Sequence, residues 1–289
     1  MKIRSITFTK ILLVLVFFAL SSTAQAVLPA PDGGYPGGNT AEGQNALFSL
    51  TSGTFNTAIG WLSLRSNIEG NFNTATGAGA LLVNTSDENT ATGAGALLSN
   101  ATGLQNTANG AFALFSNTGG SLNTANGDQT LFKNTTGHAN TANGGFALYN
   151  NTSGIRNTAI GANALFFNTT GEANTAIGNN ALQGNTTVSG NTAIGASALI
   201  SNSTGSNNTA IGDLALEANT TGRGNIALGI DAGFNVTTAS NVICIGGEWC
   251  ERKQQLLHQQ YLRCNLFRRN GRLRQFGRQT WDDHLLSSV

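Results

Sequence analysis

The sequence is poor in most of what a globular enzyme is built from. Only 10% of its 289 residues are charged, where a soluble domain carries about 25%. Aromatic residues make up 7%, and there are just 3 prolines. The shortage of charge and proline excludes an ordinary disordered chain, which is rich in both. The shortage of aromatics excludes a large conventional core. The 3 cysteines, Cys244, Cys250 and Cys264, all fall near the C-terminus. Beyond the first twenty residues no apolar run reaches the roughly 20 residues that a membrane helix needs. The excess is in glycine, with 37 residues. That shifts structural work from side chains to backbone and makes an internal repeat the first possibility to examine.

The net charge of +1 is a sum over unlike segments. Residues 1–26 hold three basic residues and no acid, giving +3; residues 27–246 hold four basic against ten acidic, giving −6; residues 247–289 hold eight against four, giving +4. The first segment is read as a secretory signal peptide. Lys2, Arg4 and Lys10 precede the apolar run Ile11 to Leu20, and Ala24-Gln25-Ala26 supplies a cleavage site. A run of that length makes about 15 Å of helix against a hydrocarbon core of about 30 Å, too short for a span. A mature chain starting near Val27, secreted or at the cell surface, is therefore expected, with no transmembrane span. Residues 27–38 read as a Gly/Pro-rich linker.

From residue 39 to residue 246 one unit recurs. Its anchoring asparagine stands at 39, 56, 73, 89, 106, 123, 140, 157, 174, 191, 208, 225 and 241, an interval of 17 residues broken by 16 at two places. The interval after Asn73 is a one-residue deletion, whereas the later one is corrected by the spacing of Gly229 and Gly246. The consensus is N-T-A-x-G-x-x-A-L-x-x-N-x-T-G-x-x; its positions are numbered 1 to 17 below, with coil 1 beginning at Asn39. A helix-pair repeat needs more than thirty residues, and fixed Asn, Gly and Thr suit turns and short strands better than helix. The unit is accordingly expected to hold two extended pieces, Asn-Thr-Ala-Ile and Ala-Leu-Phe-Phe. The first ends at the position-5 glycine and the second at Asn-Thr-Thr-Gly.

Stacked at about 4.8 Å per coil, thirteen such units form an all-β parallel β-roll, or β-solenoid, roughly 60 Å long. Asparagine then stands on asparagine, its amide donating along one direction and accepting along the other. The expected core is thin: Ala at position 3, Ala or Ser at 8, Leu at 9, with Ile at 4 or Phe at 10 in some coils. Position 4, on the opposite strand face from the inward alanine, is Ile59, Ile160, Ile177, Ile194 and Ile211 in some coils and Asn109, Asn126 and Asn143 in others. A partly apolar outer face on a thin rod predicts contact with further copies of the chain, as a homotrimer.

The N-T-A-I-G-x-x-A-L unit resembles the head repeats of trimeric autotransporter adhesins, the YadA-like family. It is still closer to N-T-A-I-G…N-T-T-G arrays of secreted bacterial proteins that precede an intramolecular-chaperone domain of the tail-spike type. The resemblance covers residues 39–246. It implies a left-handed, trimeric parallel β-roll exposed on the cell surface and used for attachment. The adhesin unit is usually shorter than this one, and neither a heptad stalk nor a membrane-anchoring barrel follows it here.

Residues 247–289 form a basic tail of different character. One reading is a small domain for anionic partners. A second takes Cys250, His258, Cys264 and His284 as a metal site, but their spacing matches no standard zinc pattern. The third and favoured reading is a frameshift: residues 251–269 admit codons whose neighbouring frame restores the Ser/Gly/Asn composition of the repeats. Reading the DNA across codons 246–252 tests it.

No catalytic, cofactor-binding or metal-binding residue is assigned, no cofactor is expected, and no nucleic-acid partner. His138 stands at a variable loop position. Glu42, Asp87, Asp128, Glu172, Asp213 and Glu217 do likewise, which argues against paired carboxylates for acid–base work. Glycine-rich pieces such as Gly77-Ala78-Gly79 lack a phosphate-loop lysine. The sequons at Asn84, Asn100, Asn134, Asn151, Asn168, Asn185, Asn202, Asn219 and Asn235 are explained by turn chemistry. The expected function is a non-enzymatic structural or adhesin-like surface protein meeting a host or matrix surface or a glycan. An ice- or polysaccharide-binding solenoid is the alternative, supported by a threonine rank from Thr40 to Thr209.

Overall fold

A computed structural model describes residues 35–247 and the strand at 249–252. The signal peptide, the linker up to residue 34 and the tail beyond Arg252 lie outside the described residues. Each coil contributes one short strand, from β1 (Thr40–Glu42) through β8 (Thr158–Ile160) and β12 (Ile226–Leu228) to β13 (Val242–Ile245). These strands lie side by side in sequence order, each parallel to the next, and a last strand, β14 (Trp249–Arg252), turns back antiparallel on β13. Pairing is in register: Thr158 meets Thr175, Ala159 meets Ala176, Ile160 meets Ile177. The all-β solenoid with one coil per repeat is thus the fold, and no α-helix occurs among the described residues.

The second extended piece does not exist. Residues 5 to 12 of each coil form a run of tight turns instead, in which positions 7 and 9 take left-handed backbone: Asn163 has φ 57° and Leu165 has φ 53°. Amides in this run alternate in direction. Ala164 and Asn168 donate within the coil, to Gly161 and Leu165, while Asn163 reaches Gly145 in the coil before and Leu165 reaches Ala181 in the coil after. Leucine in this conformation costs about 1 kcal/mol. The position-9 leucines from Leu64 to Leu216 are fully buried, which returns about 2 kcal/mol each. The turn therefore exists because it aims leucine inward while leaving every second amide free to join coils.

The interior is built from three narrow ranks. Ala58, Ala75 and their counterparts at position 3, Ala80, Ala96 and theirs at position 8, and the leucines at position 9 make one continuous core. Ile at position 4 and Phe at position 10, expected as occasional core residues, lie outside it.

Two asparagine ranks flank this core. At position 1, Asn157 donates its side-chain amide to Asn140 Oδ1 (3.1 Å) and to the Gly171 carbonyl (2.8 Å), and its own Oδ1 accepts from the Asn174 backbone (3.0 Å). At position 12, Asn168 donates to Asn151 Oδ1 (2.9 Å) and to the same Gly171 carbonyl (3.2 Å). Every asparagine in both ranks is buried, and the bonds run one way along the rod.

The one-residue deletion leaves a mark. Ser86 takes the place of the position-15 glycine; Asn84 keeps the usual bond to that carbonyl (2.8 Å) but makes none to the asparagine beneath. Asn67 Oδ1 is left as the one buried side-chain oxygen or nitrogen without a partner among the described residues. Inserting a threonine between Thr85 and Ser86, together with Ser86→Gly, restores the regular turn and gives that oxygen a donor. A gain of about 1 kcal/mol is expected, read as a higher urea midpoint.

The asparagine rank ends one residue after Asn241, in the register that the spacing of Gly229 and Gly246 keeps. Val242, not Asn241, continues position 1: its amide donates to Asn225 Oδ1 (2.9 Å), and Asn241 sits at position 17 with φ 59°. At the other end Tyr35 donates to the Asn39 carbonyl (3.1 Å), so residues 35–38 close a turn against the first coil.

Candidate interaction surfaces

The interior is the same in almost every coil, so chemistry that varies is confined to the outside. His138 is exposed. Asp87 is committed to the stack, accepting from the Asn71 backbone at 2.7 Å. Glu172 pairs with Arg156 at 3.3 Å on the surface. Among the described residues no three His, Cys, Asp or Glu side chains gather where a metal ion could be held. No helix among them is long and apolar enough to cross a membrane.

The strand face carries positions 2 and 4. Threonine occupies position 2 in register from Thr40 to Thr209, giving way to Ile226 and Ile243. At position 4 the exposed isoleucines Ile160, Ile194 and Ile211 follow the asparagines Asn109, Asn126 and Asn143. Threonine joins this second rank only at Thr76 and Thr92. The threonines of position 13 differ in kind, because they are bound into the backbone: Thr118 Oγ1 donates to the Thr135 carbonyl (3.1 Å).

A second surface was not anticipated. At position 10 of four consecutive coils Phe115, Phe132, Tyr149 and Phe166 stack face to face, with centroids 5.1, 5.2 and 5.3 Å apart and planes within 6°. Phe112 and Phe167 meet this column edge-on, at 5.8 and 4.8 Å, and the Lys133 ammonium lies 5.3 Å from the Tyr149 ring centroid. The signal was in the sequence as an aromatic residue recurring at 17-residue steps. Because the rings face one another, the column offers mainly edges to solvent. Burial raises the Tyr149 phenol above its ordinary value of 10.0. A raised value means that the neutral phenol belongs to the fold; its contribution is present below the ordinary tyrosine range and is lost as pH rises through the higher, folded value. In an alkaline absorbance titration Tyr149 is expected to ionise later than free tyrosine, and Tyr149→Phe should remove that late step.

The sequon asparagines from Asn84 to Asn219 are fully buried in the position-12 rank, whereas Asn235 is exposed. Their spacing belongs to the turn and the ladder. Comparison with protein-family models, with curated proteins and with solved structures gives no match.

Proposed function

We propose that the protein is a non-enzymatic structural, adhesin-like rod that acts outside the cell and presents repeated outer positions to a host or matrix surface or a glycan. One observation carries this reading: an interior nearly identical in every coil, with variation reserved for the outside. A scaffold of this kind spaces side chains at about 4.8 Å along one axis, and many weak contacts in such an array sum to strong attachment. The expected entry into the secretory route, from the basic and apolar leader, agrees with this placement.

The rod is proposed to be left-handed and to work as a homotrimer. The exposed position-4 isoleucines Ile160, Ile194 and Ile211 support the homotrimer, because further copies would cover them; the left hand rests on the resemblance of the repeat alone. Light scattering on the secreted chain tests the trimer; a monomeric mass contradicts it without touching the rod. Attachment is tested by coating beads with the chain and measuring retention on matrix proteins and a glycan array. Ile194→Lys should then weaken assembly, and no retention on any surface would overturn the adhesive reading.

A second reading rests on the strand face, where uncharged threonine, asparagine, isoleucine and leucine stand in register without acid or base from coil 2 to coil 12. Such a face fits an ordered neutral surface, ice or a polysaccharide. Thermal hysteresis, or binding to insoluble polysaccharide that is lost in Thr90→Tyr, separates it from the first.

A further inference from the structure

The two ends of the rod are built differently. At the first coil Ala41, Ala46 and Leu50 are only partly buried, so the core is open toward the N-terminal side among the described residues. At the last coil Cys244 is fully buried and disulfide-bonded. Four ranks change over the last two coils. The asparagine rank ends in Val242, the alanine rank in Cys244, the threonine rank in Ile226 and Ile243, and the leucine rank in Gly233. These changes fit one another. A Cβ on Gly233 would stand 3.1 Å from Cys244 Sγ, so the sulfur occupies space that a leucine at this position would need. Across the edge of β13, the register sets Cys250 opposite Cys244 and Trp249 opposite Ile245.

We infer that the Cys244 disulfide, with Cys250 as the partner the register brings opposite, locks β14 as a thiol-sensitive lid over the edge of β13, and that opening the lid lets a second copy of this chain pair with that edge, joining two rods end to end. An uncovered strand edge is a template for another chain, and proteins commonly cover it. Here the covering strand itself reveals what the edge accepts, namely an antiparallel strand. A second copy related by a two-fold axis offers its own β13 in that direction. The sequence Val242-Ile243-Cys244-Ile245 is uncharged and mostly β-branched, which favours such pairing. Beside it Leu228, Ile230 and Ile245 are 49%, 66% and 61% exposed, an apolar rim that end-to-end contact would cover.

The opening step balances as ordinary thiol–disulfide exchange. A dithiol gives two electrons and two protons to the S–S bond, which breaks to leave two protein thiols, and the reductant departs as its cyclic disulfide. In an oxidising compartment the lid stays shut.

The test uses the full secreted chain, purified without reductant. Peptide mapping should find Cys244 linked to Cys250, and electron microscopy should find rods of one length. With dithiothreitol the rods should double in length at unchanged width, and the mass should double whatever number of chains lie side by side. Cys250→Ser should double without reductant, and adding Ile245→Lys to it should return the rods to single length by placing charge on the edge. Unchanged length after reduction, broadening instead of lengthening, or a link from Cys244 to a different cysteine overturns the inference. If Cys250→Ser does not fold, the comparison of native chain with and without dithiothreitol decides alone.

Discussion

Gly144→Ala is expected to break the stack, while Gly145→Ala, one residue further on, leaves it intact. Gly144 closes the strand of its coil at φ 132°, and a Cβ there would lie 2.7 Å from both the carbonyl carbon and the oxygen of Gly161 in the next coil. Both obstacles are backbone, and both belong to a coil held in register on its other side. Left-handed strain and forced separation of two coils together cost about 4 kcal/mol. Gly145 has open space within 4 Å and lies outside the left-handed range. Alanine there restricts the unfolded chain and is expected to stabilise by about 0.5 kcal/mol. Urea unfolding of the two variants should move in opposite directions. Equal loss in both would mean that coil-to-coil contact at position 5 is not what makes glycine recur there.

Asn157→Ala is the second large effect. The side chain is buried among other asparagines, and its removal leaves the Asn174 backbone amide without the acceptor it now holds at 3.0 Å. The Asn174 side chain loses its 3.2 Å contact with the same oxygen, and the Gly171 carbonyl loses its 2.8 Å donor. An unpartnered buried amide with a small cavity beside it costs about 3 kcal/mol. Asn143→Ala is the control, since Asn143 is exposed on the strand face, whereas Asn163 with its left-handed backbone at φ 57° would add a conformational cost of its own. A change within about 0.5 kcal/mol is expected at Asn143. Thermal unfolding of the pair measures whether an asparagine matters for its rank or for its residue type.

The parts of this fold that could be read from the sequence are those that stacking forces to be identical. Gly161, Ala159, Leu165, Asn157 and Asn168 each sit over their own counterparts one period away, so their recurrence disclosed both the rod and its interior ladders. The outward aim of Ile160 followed from strand alternation with Ala159. What stayed hidden depends on backbone conformation that residue type does not announce. Ala-Leu-Phe-Phe has the composition of a strand, yet Leu165 is left-handed, because a closed coil must turn there and tertiary burial outweighs local preference. Asn241 carries the right residue one step out of register, as the 17-residue spacing of Gly229 and Gly246 already indicated, and the bond from the Val242 amide to Asn225 Oδ1 shows what replaces it. β14 and the orphaned Asn67 Oδ1 arise from an end and from a deletion, and a consensus describes neither. The outer surfaces were legible in part: the threonine rank by its regularity, the aromatic column only after its rings were seen to stack.

Buried asparagine ranks bind coil to coil, and hydrogen exchange of the side-chain amides, resolved by residue, tests this most directly. Asn157, Asn168 and their neighbours in the two ranks are predicted to exchange slower by orders of magnitude than Asn109, Asn126 and Asn143 on the strand face, with protection continuous from coil to coil. Equally fast exchange in both sets, or protection of the strand-face amides instead, would contradict the stacked solenoid.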